Sequence, residues 1–320
     1  MADYPMFSVI VSQIDRITPD IRRFTLTRPD GGTLPAFTGG SHIIVQMAQG
    51  EQQYSNAYSL MNDPAERHHY QIGVRLEPDS RGGSRFMHQQ VKTGDSLLIS
   101  APNNMFALAE APRHVLIAGG IGITPFIAHG YELARRGQAF DLHYSYRDEA
   151  GAPFGDLLAQ PPFSSRVQEY RSARGERLDV RRLLADVDPQ AHIYCCGPAT
   201  LSEEVQQCAA ALGIAPSRVH IEQFAIENKS GAAFTLVLAR SGTTLTVAPD
   251  MTILQAIEHA KAAQVECLCR EGICGTCETA ILEGEADHRD QYLSEEERAA
   301  QKTLLICCSR AKGDKLILDL

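Results

Sequence analysis

No stretch of this chain approaches the ~20 consecutive apolar residues that a bilayer-spanning helix needs, so no membrane segment is expected. Long basic runs are missing too, and the 320 residues carry a net charge of −9. Both features argue against nucleic acid and anionic membrane as partners. No cysteine precedes Cys195, and all nine fall at or after it. The N-terminal run MADYPMFSVIVSQ goes straight into an alternating strand pattern, so no signal peptide is read from it. Unpaired thiols in that number suit a reducing, cytoplasmic compartment, and disulfides are not expected. Internal repeats and low-complexity tracts are lacking as well. A hydrophobic share of 44% is enough for ordinary packed cores. The length suggests about two domains, or three if one is small.

What is present is concentrated near the C-terminus. Cys269-Arg-Glu-Gly-Ile-Cys274-Gly-Thr-Cys277, followed by a distant Cys307, has the C-x₄-C-x₂-C…C spacing of a plant-type [2Fe–2S] cluster. Gly272 and Gly275 let a tight loop bring three thiolates together. A structural zinc site usually takes two C-x₂-C pairs from separate turns, and Cys307-Cys308 is a poor second pair. The metal ligands are therefore read as Cys269, Cys274, Cys277 and Cys307. Cys267 and Cys308 are read as spectators, on the ground that side chains of adjacent residues point apart on extended backbone.

The organisation upstream has two styles. Residues 7–100 read as short strands with turns: Phe7–Ile14, Ile21–Thr27, His42–Met47, Tyr70–Leu76 and Ser96–Ser100, with one short helix over Ser84–Val91. That spacing predicts a small antiparallel barrel. From His114 strands and helices alternate. The strands are His114–Ala118, Asp141–Tyr146, Val167–Ser172, His192–Cys195 and Val219–Phe224; the helices are Phe126–Arg136, Leu178–Asp186 and Leu201–Leu212. Alternation of this kind predicts a parallel sheet with helices on both faces. Ile226–Ala232 reads as a linker. Phe234–Arg240 and Thr244–Ala248 then form a hairpin about Ser241-Gly242, followed by a helix over Ile253–Ala263.

Three further constellations carry chemistry. Gly119-Gly120-Ile-Gly122-Ile123-Thr124-Pro125 lies between a strand and a helix, where backbone N–H groups and the helix dipole favour a pyrophosphate. Pro125 suits the first helical turn, but it stands where the full G-x-G-x-x-G fingerprint has its last glycine. An ordinary structural turn is the competing reading. Cys196-Gly197-Pro198 occupies a second strand end, and two such turns make a crevice for a dinucleotide. A buried apolar filler is the alternative for Cys196. In the barrel, Asn56-Ala57-Tyr58-Ser59-Leu60 offers an aromatic and a hydroxyl for a flat heterocycle. Arg81-Gly82-Gly83-Ser84 offers a phosphate cradle at a helix start. Taken singly, each is equally an ordinary strand end or turn.

This order of parts, together with Glu283-Gly-Glu-Ala-Asp-His-Arg-Asp290 and Cys308-Ser-Arg-Ala-Lys312, resembles the phthalate dioxygenase reductase family over essentially the whole chain. The resemblance implies a multi-domain fold. An antiparallel β-barrel flavin domain would span 1–108, an α/β parallel-sheet nicotinamide domain 109–227, and an α+β ferredoxin-like (β-grasp) [2Fe–2S] domain 228–320. It implies FMN, NADH and the cluster as cofactors. Tyr58 and Ser59 would meet the isoalloxazine, with Ser59 near N5, and Arg81, Gly82, Gly83 and Ser84 would lie near the flavin phosphate. Thr124, Cys196 and the residues after Glu222, Phe224 among them, would lie near the flavin–nicotinamide contact. Ser59, Thr124 and Cys196 are thus the expected catalytic residues. Gly73, Val74, Arg75 and Arg147 complete the expected cofactor-binding set. One departure stands out: the family usually has arginine two residues before the tyrosine, and this chain has Asn56, which brings no charge. Arg75 or Arg81 would have to compensate.

This chain has neither the C-x-H pairs of a Rieske centre nor a recognisable 2-His-1-carboxylate iron site, so the final acceptor is expected in another chain, and the resemblance implies that this partner is a Rieske-type oxygenase. The segments Tyr54-Ser-Asn-Ala-Tyr-Ser-Leu60 and Glu266-Cys-Leu-Cys-Arg-Glu-Gly272 carry a finer resemblance. It is to the branch serving an oxygenase that cleaves carnitine to trimethylamine and malic semialdehyde. The alternatives are a reductase of a phthalate- or vanillate-type oxygenase, and a redox-sensing protein without turnover. His288 is read as a hydrogen-bonded structural histidine rather than a base.

Overall fold

The computed structural model describes residues 4–49, 52–78, 82–148, 153–224 and 230–320. Arg81 and much of the expected linker Ile226–Ala232 lie outside the described residues. One compact unit runs over Met6–Phe224, and the C-terminal part, within Ala225–Leu320, belongs to a second.

The first half of the larger unit is a barrel. Its strands are β1 (Met6–Arg16), β2 (Ile21–Thr27), β3 (Ser41–Gln49), β4 (Gln52–Ser59), β5 (His69–Arg75), β6 (Ser96–Ser100) and β7 (Asn103–Asn104), with helix α1 (Gly83–Gln89) between β5 and β6. The order is β4-β3-β6-β1-β2-β5, with β7 on β3, and every pairing is antiparallel. A bridge between Leu60 and Ile72 joins the two ends of that order and closes the barrel. Alternate residues point inward, so Val9, Val11, Phe24, Leu26, Ile43, Val45, Ile72 and Val74 make one core. Sequence patterning missed β4. Its residues QQYSNAYS are mostly polar, and the strand is held by a full backbone ladder to β3 rather than by an apolar face.

The second half contains β8 (Arg113–Gly119), a 3₁₀ turn over Gly120–Ile123, α2 (Thr124–Arg135), β9 (Ala139–Tyr146), α3 (Gly155–Leu158), β10 (Val167–Arg171), α4 (Val180–Ala185), β11 (His192–Cys196), α5 (Ala199–Ala211) and β12 (Val219–Glu222). The sheet order is β10-β9-β8-β11-β12, all parallel. The order reverses between β8 and β11, which is where an open α/β sheet makes its ligand crevice. Cores form on both faces: Leu116, Ala118, Tyr194 and Cys196 on one, and Val115, Ile117, Ile193 and Cys195 on the other.

Barrel and sheet lock together through a glycine turn. A Cβ on Gly39 would stand 2.9 Å from the Cα of His129 in α2, and one on Gly40, at φ +86, would stand 2.2 Å from the Phe106 carbonyl oxygen. The Gly39 N–H donates to the Glu132 carboxylate at 2.5 Å. His129 pairs through Nε2 with the Phe106 carbonyl at 2.9 Å. Its burial lowers the ring to a pKa of about 3, so it stays neutral.

The second unit has β13 (Phe234–Leu238), β14 (Thr243–Val247), α6 (Ile253–Ala260), β15 (Glu278–Glu283), β16 (Ala286–Asp287), α7 (Glu295–Ala300), β17 (Thr303–Leu305), β18 (Arg310–Ala311) and β19 (Lys315–Leu318). The mixed sheet runs β14-β13-β19-β15-β17, with β13 and β19 parallel, and β16 pairs with β18. A capping box at Thr252 and Gln255 starts α6. Its buried face, Ile253, Leu254, Ala256 and Ile257, packs with Phe234, Leu236 and Leu316 in one core. No helix among the described residues is long and apolar enough to cross a membrane.

Candidate functional site

On the barrel, β4 delivers Asn56, Ala57, Tyr58 and Ser59 in succession and leads into Leu60. Ser59 is buried, and Tyr58 packs against the barrel core. Gly82 has φ +116, a conformation that a residue with a Cβ rarely adopts. A Cβ there would lie 2.5 Å from the Tyr54 ring, and one on Gly83 would lie 1.8 Å from Asn56 Oδ1. Asn56 and Tyr54 therefore close directly over the start of α1. No acidic residue lies in the first turn of that helix. The Ser84 hydroxyl accepts from the Glu77 N–H at 3.1 Å, which ties the approach loop to the helix. This glycine cradle, with a neutral amide as its lid, fits the phosphate end of a flavin mononucleotide. Arg75 is engaged elsewhere, 3.2 Å from Glu77 and 3.8 Å from Asp20.

At the end of β5, Gly73 faces the sheet half of the same unit. A Cβ on it would meet Phe154 at 2.8 Å and Thr124 Cγ2 at 2.9 Å. The 3₁₀ turn before α2 is held by Thr124, whose hydroxyl donates to the Ile121 carbonyl at 3.1 Å. A Cβ on Gly122 would sit 2.3 Å from the Cys196 carbonyl oxygen, and one on Gly119 would sit 2.7 Å from Pro198 Cδ. The two glycine turns read from the sequence are thus in van der Waals contact across the switch point, with Pro125 in the first turn of α2. Gly120 has φ +54, and the space above it is open. Arg147 is exposed just past β9, and Phe224 is exposed just past β12.

Glu222 was not among the residues singled out in the sequence. It lies opposite Cys196 in the parallel register of β11 and β12. The residue is partly exposed, yet its Oε2 is buried with no hydrogen-bond partner among the described residues. Burial raises its carboxyl to a pKa of about 8, against the pull of a hydrogen bond from the Cys196 thiol. Burial also pushes that thiol well up, so it stays protonated. Nothing in the sequence marks it, since β12 reads Val-His-Ile-Glu and an acid at a strand end is common.

In the second unit, Arg270 at φ +58, Gly272 at φ +68 and Gly275 at φ +74 wind the loop tightly. Arg270 forks onto Glu258 of α6 at 2.9 and 2.5 Å. The Gln291 N–H holds the Gly272 carbonyl at 2.9 Å, and a Cβ on Gly275 would strike the Tyr292 ring at 2.4 Å. Inside the loop the Cys269 N–H donates to Cys274 Sγ at 3.4 Å, and the Glu271 N–H donates to Cys269 Sγ at 3.3 Å. Amide donors aimed at sulfur are what an iron–sulfur centre uses to set its potential. The Sγ atoms of Cys267, Cys277 and Cys307 all lie within 4.8 Å of one another. A converging set of buried thiols with backbone donors on their sulfurs fits a [2Fe–2S] cluster.

Two expectations change here. Cys267 is not turned away. It lies two residues before Cys269 rather than next to a ligand, so the adjacency argument that holds for Cys308 never applied to it, and its Sγ gathers with those of Cys277 and Cys307. Cys308 contacts the Leu305 carbonyl at 3.7 Å and the Ser309 hydroxyl at 3.9 Å instead. His288 makes no hydrogen bond among the described residues. Its Nδ1 stands 3.7 Å from Asp290 Oδ1, and both ring nitrogens are buried.

Comparison with known proteins agrees with this arrangement. Residues 8–107 match the family described as oxidoreductase FAD-binding domain, and residues 236–312 match the 2Fe-2S iron-sulfur cluster binding domain. A carnitine monooxygenase reductase subunit of Escherichia coli (strain K12) is 60% identical over 321 residues, covering 100% of both chains. A vanillate O-demethylase oxidoreductase of Acinetobacter baylyi is 38% identical over 98% of both. The solved structure of phthalate dioxygenase reductase, described as modular for electron transfer from pyridine nucleotides to [2Fe–2S], superposes with a TM-score of 0.77. It is 35% identical and covers 98% of each chain. The chain belongs to the phthalate dioxygenase reductase family. It is a flavin and iron–sulfur oxidoreductase, a reductase component built for electron transfer, and its barrel, parallel sheet and ferredoxin-type domain are the family's fold.

Proposed function

We propose that this reductase takes electrons from NADH and hands them, through FMN and a [2Fe–2S] cluster, to a Rieske-type oxygenase that cleaves carnitine. The observation that carries the reading is the 60% identity, over both full lengths, to a carnitine monooxygenase reductase subunit. The overall reaction consumes carnitine, O₂, NADH and a proton, and yields trimethylamine, malic semialdehyde, NAD⁺ and water.

A bound flavin accepts a hydride and releases single electrons, which a two-electron donor and a one-electron cluster require between them. The protein's own residues bind and orient. Tyr54, Asn56, Gly82 and Gly83 receive the flavin phosphate, with Arg81 close in sequence. The likeness to phthalate dioxygenase reductase favours FMN over FAD as the flavin. Gly119, Gly120, Gly122 and Gly197 let the dinucleotide backbone approach, and Thr124 and Cys196 line the edge where nicotinamide meets flavin. Ser59 positions the flavin edge. Cys269, Cys274, Cys277 and Cys307 hold the cluster. Domain limits of 1–108, 109–227 and 228–320 follow from this division of labour.

The test is NADH-driven release of trimethylamine from carnitine by the purified chain together with a Rieske-type carnitine oxygenase. Trimethylamine in step with NADH use is expected. Fast NADH-to-cytochrome c activity without trimethylamine, but with vanillate or an aromatic acid turned over instead, would transfer the chain to the second reading, which its 38% identity to a vanillate O-demethylase oxidoreductase keeps open. Released flavin should chromatograph as FMN, and FAD in stoichiometric amount would contradict the assignment. Ser59→Ala should slow hydride transfer by roughly ten-fold or more while leaving NADH binding close to normal. An unchanged stopped-flow rate of flavin reduction would remove Ser59 from that role.

A further inference from the structure

Five sulfurs, one more than a [2Fe–2S] cluster needs, gather inside the second unit. They fall into two groups. Cys269 and Cys274 form a pair, joined by the Cys269 N–H on Cys274 Sγ at 3.4 Å. Cys267, Cys277 and Cys307 form a trio with all three Sγ atoms within 4.8 Å of one another. A four-thiolate cluster places two thiolates on each iron. Thiolates sharing one tetrahedral metal at about 2.3 Å stand a little under about 4 Å apart. The pair therefore belongs to one iron, and Cys277 with Cys307 to the other. Cys267 stands beside that second iron.

We propose that Cys267 is a fifth thiol of the cluster site, able to replace Cys277 or Cys307 as ligand to the iron they share. The proposal rests on the four-ligand reading above and deepens it. The Cys267 Sγ already lies within 4.8 Å of the Cys277 and Cys307 sulfurs, so ligation by Cys267 needs a displacement of its own Sγ and no rewinding of the loop. Cys308 cannot serve, because its sulfur is buried against the Leu305 carbonyl and the Ser309 hydroxyl. Cys267 is only half-buried, so the trio has a solvent side where a proton can leave. The exchange keeps every oxidation state. The Cys267 thiol gives its proton to solvent as its sulfur binds iron, and the displaced thiolate takes a proton up. A reductase with such a reserve keeps its cluster when one ligand of the second iron is lost to oxidation.

The experiment uses the full chain and reads iron and acid-labile sulfide content, visible absorption, and the EPR spectrum of the reduced protein. Cys307→Ala and Cys277→Ala should keep a [2Fe–2S] spectrum with shifted g values. Each combined with Cys267→Ala should lose roughly ten-fold or more of its iron. Single variants as poor in iron as the doubles would overturn the proposal. Cys269→Ala should lose the cluster outright, because Cys267 belongs to the other group; a full spectrum there would sink the four-ligand reading instead. If the single variants fail to fold, judged by loss of bound flavin, Cys267→Ala in the otherwise native chain decides. Loss of a thiol against the iron-bound sulfurs should shift the g values and lower the midpoint potential, and an unchanged spectrum and potential would overturn the proposal.

Discussion

Glu222 is the residue where burial and chemistry pull hardest against each other. Its carboxyl is raised from an ordinary value of 4.5 to about 8 by burial. The folded chain therefore holds a proton that the unfolded chain releases once the pH passes its ordinary value. Stability is unaffected below that value, falls as the pH rises towards 8, and stays low above it. A tenfold change in proton affinity is worth about 1.4 kcal/mol, so the effect reaches a few kcal/mol at most. Glu222→Gln removes the titration. Its melting temperature should gain on the native chain between about pH 5 and pH 8 and level off beyond. A difference that stays flat across that range would contradict the assignment. At this scale the sequence was informative about thiols and glycines, because their spacing is their signal. It was silent on Glu222, since an acid at a strand end looks the same whether its carboxylate faces solvent or a neighbouring thiol.

The elements are positioned by glycines that nothing larger can replace. Gly122 lets the turn before α2 rest on the Cys196 carbonyl, where a Cβ would stand at 2.3 Å. Backbone cannot give way by that much without moving the crevice. Gly122→Ala should raise the KM for NADH roughly ten-fold or more, with the barrel and its flavin intact, and a native KM would show that the turn takes no part in binding. Gly40→Ala faces both a carbonyl at 2.2 Å and a left-handed φ of +86. It should cost on the order of 2–4 kcal/mol of stability, read from denaturant unfolding, and should loosen the barrel from α2. Elements with strong periodicity were legible: the helix read as Phe126–Arg136 is Thr124–Arg135, and the strand read as His114–Ala118 is Arg113–Gly119. Strand β4 was not, because a polar strand in a closed barrel is held by ladder hydrogen bonds that leave no pattern in side-chain hydrophobicity. The strands after the cysteine loop were also missed. The two-residue pairs β16 and β18, at Ala286–Asp287 and Arg310–Ala311, are too short to carry a period.

For the whole molecule, charge offers a handle on the partner. The chain carries a net charge of −9, and Glu266 and Glu278 are exposed on either side of the cysteine loop while Glu271 within it is half-buried. Rim charges act mostly on association rate and its salt dependence. Glu266→Lys with Glu278→Lys should leave NADH-to-cytochrome c activity near normal and slow oxygenase-coupled turnover most at low salt, where screening is weakest. Equal effects on both activities would exclude this rim from docking. The route of the electrons is the larger claim, and anaerobic mixing of the full chain with NADH tests it most directly. Flavin absorbance and the EPR signal of the cluster are followed together. The account predicts that the flavin bleaches first and that the reduced-cluster signal then rises as flavin electrons are withdrawn. A flavin that NADH does not bleach, or a cluster that stays oxidised beside a fully reduced flavin, would contradict it.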